Sequence, residues 1–305
     1  MSKVSIWWQA SRPFSFTVSI LPPILGSIIA KMESPGLKID WLLFALTLIG
    51  CVIAHAGANM IGDYFDFKKR VDREGTFGSS GVLISNLIEP KKVFMGSMVA
   101  YVIASSIGIY IAASIPNGMY LILIIIIGAV LGLFYAAEPF SFKYHALGDL
   151  AVFISFGPAM TLGAYFVQAH HFSWTPVLYA IPAAFLVDAV LHSNNLRDIK
   201  NDSVVNIKTV AILIGEQNSK RMYYGLIISA YISVILLITA NGLPTVSLIT
   251  LLSLPLALKL IRIVKHKNKV PDQQFIMIDA ATAQLHSVFS VLFVVSLLVQ
   301  YYFMS

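Results

Sequence analysis

Two acidic clusters interrupt a chain that is otherwise strongly apolar. The first is Asn59-Met-Ile-Gly-Asp63-Tyr-Phe-Asp66, running on to Asp72; the second is Asn194-Asn195-Leu-Arg197-Asp198-Ile-Lys-Asn-Asp202. Each follows directly on a long apolar run. A carboxylate at the end of a membrane helix is costly unless something cationic neutralises it, so such acids read by default as functional. Helix positions three and four apart share a face. Asn59, Asp63 and Asp66 are spaced four and three, and Asn195, Asp198 and Asp202 three and four, so each set is expected to form one polar stripe. Magnesium takes oxygen ligands, keeps several waters, and is bound through one or two carboxylates plus substrate phosphates. Two facing stripes therefore suit magnesium ions shared with a diphosphate. The blander alternative is that the acids pair with Lys68, Lys69, Arg197 or Lys200 at the membrane interface.

Basic residues accompany both clusters. Lys68, Lys69, Arg70 and Arg73 come after the first; Arg197 sits inside the second and Lys208 lies beyond it. Arginine grips a phosphate bidentately and lysine acts as a point charge. Lys69, Arg197 and Lys208 are the expected phosphate contacts, and the remainder serve as topology determinants.

The elements that must position these groups are membrane helices. Of the 305 residues 57% are hydrophobic and only 12% charged, and the mean hydropathy is +0.79, far above a soluble domain. The expected architecture is an all-α polytopic membrane protein, one domain over 1–305, with no soluble domain or linker. Met1 to Ser11 shows no apolar stretch with a cleavage site, so no signal peptide is expected. A crossing needs about 20 apolar residues. Nine spans are expected, at roughly 14–31, 41–61, 93–115, 118–137, 147–167, 175–195, 222–241, 243–263 and 283–303. Turn signals at Pro116-Asn117-Gly118 and Asn241-Gly242-Leu243-Pro244 split neighbouring spans. With the N-terminus inside, every Lys and Arg but Lys31 and Lys38 falls on inner segments, Lys269 included, which satisfies the positive-inside rule. The net charge of +6 is spread over these loops and does not indicate nucleic acid. Both acidic clusters then lie on the cytoplasmic side. Spans two and six each end in an Asn/Asp cluster with a basic loop after it, a weak internal echo that would bring the clusters face to face. The one cysteine, Cys51, lies in an apolar run and forms no internal disulfide.

At these residues the chain resembles the UbiA superfamily of intramembrane prenyltransferases, and within it the MenA-like 1,4-dihydroxy-2-naphthoate polyprenyltransferases. Ser11-Arg12-Pro13 resembles the family's opening. Asp63-Tyr-Phe-Asp66-Phe-Lys-Lys-Arg-Val-Asp72 is similar to its first acidic motif. Gly78-Ser-Ser-Gly81 and Pro90-Lys-Lys-Val93 are similar to the family's segment just beyond that motif. Phe134-Tyr135-Ala-Ala-Glu-Pro139-Phe-Ser-Phe-Lys143-Tyr144 with Gly148-Asp149 resembles the next signature. Asn194-Asn195-Leu-Arg197-Asp198 with Asp202 and Lys208-Thr209 is close to the second acidic motif, in the form that marks MenA-like members. Two positions depart from the pattern. Gly62 stands where the family usually has Asn, and Asn206-Ile207-Lys208-Thr209-Val210 keeps the basic residue without the usual glycine.

The resemblance implies nine helices around a cavity open to the membrane. It implies two Mg2+ ions binding a polyprenyl diphosphate through Asp63, Asp66, Asp198 and Asp202, the residues expected to carry catalysis. Asn59, Lys69, Asp72, Tyr135, Lys143, Asn195, Arg197 and Lys208 are the expected substrate contacts. Ionisation gives an allylic cation that an aromatic acceptor attacks; with a dihydroxynaphthoate the ring loses its carboxyl group and yields demethylmenaquinone. The physical chemistry agrees. Cations offset charge developing on a departing diphosphate, a dry cavity keeps water from the carbocation, and no nucleophilic triad is needed or found.

Other polar residues carry open readings. Asp188 lies about 15 Å deeper than Asp198 at helical rise and either orients the acceptor or pairs with His192. His55, one turn before Asn59, either continues that stripe into the cavity or is a satisfied core histidine, and His170 and His171 read as loop residues. Glu138 and Asp149 are expected to pair with Lys143, and Pro22-Pro23 to bend the first span. Other acceptors remain open within the fold: a hydroxybenzoate, homogentisate, a tetrapyrrole or a glycerol-phosphate ether. A transporter with paired acidic sites is the alternative of a different class.

Overall fold

A computed structural model describes residues 2–205, 207–240, 242–267 and 270–304. Met1, Asn206, Asn241 and Lys269, all named above from the sequence, lie outside the described residues. Among the described residues the fold is all-α, and the single β-bridge joins His145 to Lys208. A short helix α1 (Lys3–Ala10) precedes α2 (Thr17–Glu33), α3 (Trp41–Lys68), α4 (Pro90–Ser114) and α5 (Gly118–Leu133). Then come α6 (Gly148–Ile154), a π-helical turn (Ser155–Ala159) and α7 (Met160–Ala169), which form one continuous rod. The chain continues through α8 (Thr175–Ser203), α9 (Val210–Thr239), a 3-10 segment (Thr245–Ser253) running into α10 (Leu254–Lys265), α11 (Asp272–Ile276) and α12 (Ile278–Val299).

Eight helical segments among the described residues are long and apolar enough to cross a membrane. The ninth expected span is α5, and it is shorter than expected. Its 16 residues give roughly 24 Å, less than the ~30 Å hydrocarbon core, because the chain leaves the helix at Phe134. Other boundaries move too. Helices α3 and α8 run on to Lys68 and Ser203, so Asn59, Asp63 and Asp66 and the whole second cluster are helical, while Asp72 lies beyond the end of α3. The last helix starts at Ile278, not at 283, and so takes in Asp279. Helix α2 contains both Pro22 and Pro23, buried inside it.

Local chemistry sets the ends. Asp40 accepts a hydrogen bond from the Leu43 N–H and Thr209 one from the Ile212 N–H, capping α3 and α9. Pro90 and Pro176 occupy the first turns of α4 and α8, where a missing N–H costs nothing. Gly215 breaks the start of α9 with φ +76°.

The bundle packs α3 on α4, α8 on α9 and α2 on α7, with α12 against α8 and α2. The largest core joins Leu25, Ile29, Tyr165, Leu186, Tyr223 and Phe289 from α2, α7, α8, α9 and α12. In a bilayer, close packing and interhelical hydrogen bonds replace much of the hydrophobic drive. Tyr223 thus bonds Thr282, Tyr231 bonds Ser253 and Ser247 bonds Ser296. Helices α2 and α7 approach closely at Gly26. A Cβ added there would lie 2.3 Å from the Thr161 carbonyl oxygen and 2.7 Å from the Tyr165 nitrogen, both backbone. Gly26→Ala is expected to cost about 1–3 kcal/mol by overpacking and to lower the thermal midpoint in detergent. Gly36→Ala, which meets nothing within 4 Å, is expected to leave it unchanged.

Candidate active site

The last turns of α3 and α8 meet across one cavity of about 360 Å3. Asn59, Asp66 and Asp72 line it from the first motif, and Asn194, Asn195, Asp198 and Asp202 from the second. Tyr135 and Lys143 enter from the loop after α5, Arg12 from the turn before α2, and Asp279 from α12. Beyond this polar end the walls are apolar and small: Gly50, Cys51 and Ala54 on α3, Gly108 on α4, Gly128 and Gly132 on α5. The far end reaches Ile111, Leu121 and Val167, members of the apolar cluster that packs α3, α4, α5 and α7 together.

The carboxylates are buried, and most are met by a cation. Asp66 accepts from Lys143 Nζ at 2.5 Å and from the Tyr144 hydroxyl at 2.8 Å. Burial opposes the charge on Lys143, but Asp66 outweighs it and the ammonium is held protonated well above its ordinary range. Asp198 accepts from both Nε (3.0 Å) and Nη2 (2.7 Å) of Arg197. Asp63 Oδ2 accepts from the Ser80 N–H at 3.0 Å, and its Oδ1 lies 3.6 Å from Arg12 Nη1. Among the described residues that Oδ1 and Arg12 Nε have no hydrogen-bond partner. Among the described residues no side chain donates to the carboxylates of Asp72 and Asp202. Burial, reinforced by the negative charge of Asp66, pushes the Asp72 carboxyl up to about 8.

The structure corrects the expectations from sequence at several residues. Asp63 does not line the cavity with Asp66; its Oδ2 takes the Ser80 N–H of the 78–81 loop, and its Oδ1 faces Arg12 at the cavity edge. Asn59 lines the cavity, yet its amide is spent on the Ser11 carbonyl and the Ser15 hydroxyl, at 2.9 and 3.0 Å, which ties down the chain before α2. Lys69 points away from the cavity. It pairs with Glu138 at 3.3 Å and lies 4.5 Å from the Tyr144 ring centroid. Lys208 is exposed, and it is its backbone N–H that reaches the site, donating to the Tyr144 carbonyl. Arg197 is buried behind Asp198 and does not line the cavity. Of the two pairs expected at Lys143 neither forms: Glu138 takes Lys69 and Asp149 takes His192 at 2.9 Å. His192 also meets Ser219, so it is not the partner of Asp188, whose Oδ1 stays unpartnered. His55 is held by Ser15 and Ser19 and also lines the cavity, so it is a satisfied histidine that continues the Asn59 stripe. His171 bonds Tyr165 on the opposite side of the bundle. The residues that spacing arguments missed are Ser80 and Asp279, together with a site role for Arg12. An acid at the head of an apolar span, as Asp279 is, was the available signal.

Among the described residues no three His, Cys, Asp or Glu side chains converge as a ready-made metal cage. The ligand atoms on offer are nonetheless all oxygen, with two carboxylates that no side chain among the described residues donates to and a third with one bare oxygen. That is the chemistry of a hard divalent cation completed by water and phosphate rather than by protein alone.

Fold and site are those of an integral, multi-pass membrane protein with a cavity that is acidic at one end. The chain belongs to the UbiA prenyltransferase family, whose model matches residues 20–302, and is a prenyltransferase, which sets the transporter alternative aside. It is 31% identical to the 1,4-dihydroxy-2-naphthoate octaprenyltransferase of Bacillus subtilis (strain 168) over 299 residues, 97% of this chain and 93% of that one. It is 33% identical to the human UbiA prenyltransferase domain-containing protein 1 over 278 residues, 89% of this chain and 79% of the relative. The fold is that of a UbiA homolog from Aeropyrum pernix K1, with a TM-score of 0.67 at 13% identity, covering 93% of this chain and 97% of that one. A UbiA homolog from Archaeoglobus fulgidus, solved bound to GPP and Mg2+, gives 0.64 at 14% identity, covering 94% and 99%.

The 78–81 loop makes a test of this geometry. Gly78 has φ +96°, and a Cβ there would lie 2.7 Å from Arg197 Nη2 and 3.1 Å from Asn194 Oδ1. Gly75 has φ +83° but open space around it. Gly78→Ala is expected to lower kcat/KM for prenyl transfer roughly ten- to hundredfold by displacing the motif side chains. Gly75→Ala carries backbone strain without the collision and is expected to keep most of the activity.

Proposed function

We propose that the chain transfers a polyprenyl group from an isoprenyl diphosphate to 1,4-dihydroxy-2-naphthoate with loss of the carboxyl group, giving demethylmenaquinol, which becomes demethylmenaquinone on oxidation outside this site. The observation that carries this is the single cavity with two acidic motifs at one end and apolar walls along the rest. The likeness to the Bacillus naphthoate octaprenyltransferase over nearly the whole chain supports the acceptor. Asp66, Asp198 and Asp202 would hold Mg2+ from the cavity wall, and Asp63 from beside Arg12. Bound there, divalent cations would neutralise charge gathering on the leaving diphosphate.

This chain's own residues do the rest. Lys143 and Arg12 bring positive charge to the diphosphate end and already sit against Asp66 and Asp63. Tyr135 stands on the same wall. The apolar wall takes the isoprenoid chain and keeps water from the allylic cation. The allylic C–O bond breaks and diphosphate leaves with the electron pair. The electron-rich ring carbon bearing the carboxylate forms the new C–C bond, and carbon dioxide departs to restore aromaticity. The site lies on the cytoplasmic side, with the N-terminus inside, in line with the basic residues of the inner segments.

The test is transfer in detergent from labelled geranylgeranyl diphosphate to 1,4-dihydroxy-2-naphthoate with Mg2+. A lipid-soluble labelled naphthoquinol, recovered as the naphthoquinone after oxidation by air, and release of carbon dioxide are expected. Asp198→Ala is expected to lower the rate at least hundredfold, since a charge-stabilising group is worth about that much. Consumption of donor with some other acceptor, and none with the naphthoate, would overturn the acceptor while keeping the reaction class. For topology, a single cysteine at the exposed Glu138 should be labelled from the cytoplasmic side and one at the exposed Trp174 from the other. The reverse pattern would overturn the orientation.

A further inference from the structure

Arg197 has two carboxylate partners where it needs one. Its side chain is 5% exposed. Nε and Nη2 hold both oxygens of Asp198 at 3.0 and 2.7 Å. Nη1 holds Asp279 Oδ2 at 2.8 Å and the Ile276 carbonyl at 3.0 Å, and Nη2 also meets Asn194 Oδ1 at 2.9 Å. Asp279 is itself buried, lines the cavity, and takes the Ala280 N–H on its other oxygen at 2.8 Å. Arg197 is held independently of Asp198 by Asp279, the Ile276 carbonyl and Asn194 Oδ1.

This arrangement sets a condition on Asp198. A cation entering the cavity there must use oxygens that the guanidinium now occupies. A buried guanidinium stays protonated, and stripping its only counter-charge is strongly unfavourable. With Asp279 in place that penalty does not arise, because Arg197 keeps one carboxylate, one carbonyl and one amide oxygen when Asp198 turns. We propose that Asp279 is a positioning residue, the retained counter-ion of Arg197 that leaves Asp198 free to take a divalent cation. The proposal rests on the reading of Asp198 as a cation ligand. It gives the last helix a part in the motif it packs against, although Asp279 belongs to neither acidic cluster.

The experiment measures Mn2+ binding to the purified full chain by electron paramagnetic resonance without substrate, alongside the Mg2+ concentration for half-maximal transfer. Asp279→Asn is expected to weaken Mn2+ binding about tenfold, the lower end of what loss of a group supporting a ligand costs. It should raise the Mg2+ requirement by a similar factor, with a smaller fall in the rate at saturating metal. Asp279→Glu should restore both. The deciding comparison is Asp279→Asn made on top of Arg197→Gln. With no guanidinium left to claim Asp198, the second substitution should change Mn2+ affinity by less than about twofold. A double-mutant cycle reads that coupling directly, and Asp279→Ser takes the place of Asp279→Asn in both arms if the latter does not fold. Unchanged Mn2+ affinity in Asp279→Asn with only a lower thermal midpoint would overturn the proposal, leaving Asp279 as a tie between α8 and α12. An equal Mn2+ loss with and without Arg197 would overturn it as well. Asp198→Ala is the reference and should abolish the affected binding. If Asp198→Ala binds Mn2+ as the unmutated protein does, both this proposal and the reading of Asp198 fall.

Discussion

Everything at the polar end of this molecule stems from one constraint: carboxylates from two helices are gathered in a place with little water. Each negative charge there repels the others and has lost its solvation. The chain meets the cost with single cations aimed at single acids. Lys143 reaches Asp66, Arg12 faces Asp63 and Arg197 grips Asp198. These cations come from three separate stretches of sequence. The constraint therefore dictates where the loops go as well as how the helices pack. The segment after α5 folds back over the end of α3, and Tyr144 adds a second donor to Asp66. The chain before α2 is pinned by Asn59, and the 78–81 loop by Asp63 through Ser80 and by Gln9 through the Ser80 carbonyl.

The neutralisation is incomplete. Asp72 and Asp202 receive no side-chain donor among the described residues, and Asp63 keeps one bare oxygen. Asp72 shows the consequence, since its carboxyl resists ionisation up to about pH 8. A protein selected only for stability would fill such positions with apolar residues, because a poorly satisfied buried charge is worse than none. Retaining them makes sense if further positive charge arrives with the ligand. Binding and catalysis then draw on the same deficit: the cations that settle the carboxylates also hold the diphosphate as it leaves.

Much of this was legible in the sequence, and the reasons differ by residue. The apolar runs and their turn signals gave the helices, because a bilayer admits little else. The two acidic clusters stood out because nothing about a greasy chain explains them. Spacing gave less than it promised. Asn59, Asp63 and Asp66 share a face by helical periodicity, yet only Asn59 and Asp66 line the cavity, because a stripe is wide enough for neighbouring residues to find different partners. Lys69 and Lys208 looked like phosphate contacts from their nearness in sequence, but helix-end geometry turns both outward. The ion pairs of Lys143, Glu138 and Asp149 join residues from different elements, and no local pattern encodes such choices. Asp279 was hidden for a plainer reason. The last span was placed five residues late, which left its first turn outside the helix.

The same logic explains why cavity and bundle cannot be treated apart. The polar end fixes the orientation of α3 and α8 through charges, whereas the apolar end is held by small residues. Gly50, Gly108, Gly128 and Gly132 leave room along the wall that larger side chains would fill, and the cluster around Ile111, Leu121 and Val167 closes the far end. A substrate with a charged head and a long hydrocarbon chain matches that division along its length. Such a ligand adds cation-linked contacts at one end and apolar area at the other, so each end helps to hold the other in register. The head is then placed for bond breaking by binding energy gathered far from the reacting carbon, which is how remote contacts contribute to rate rather than to affinity alone.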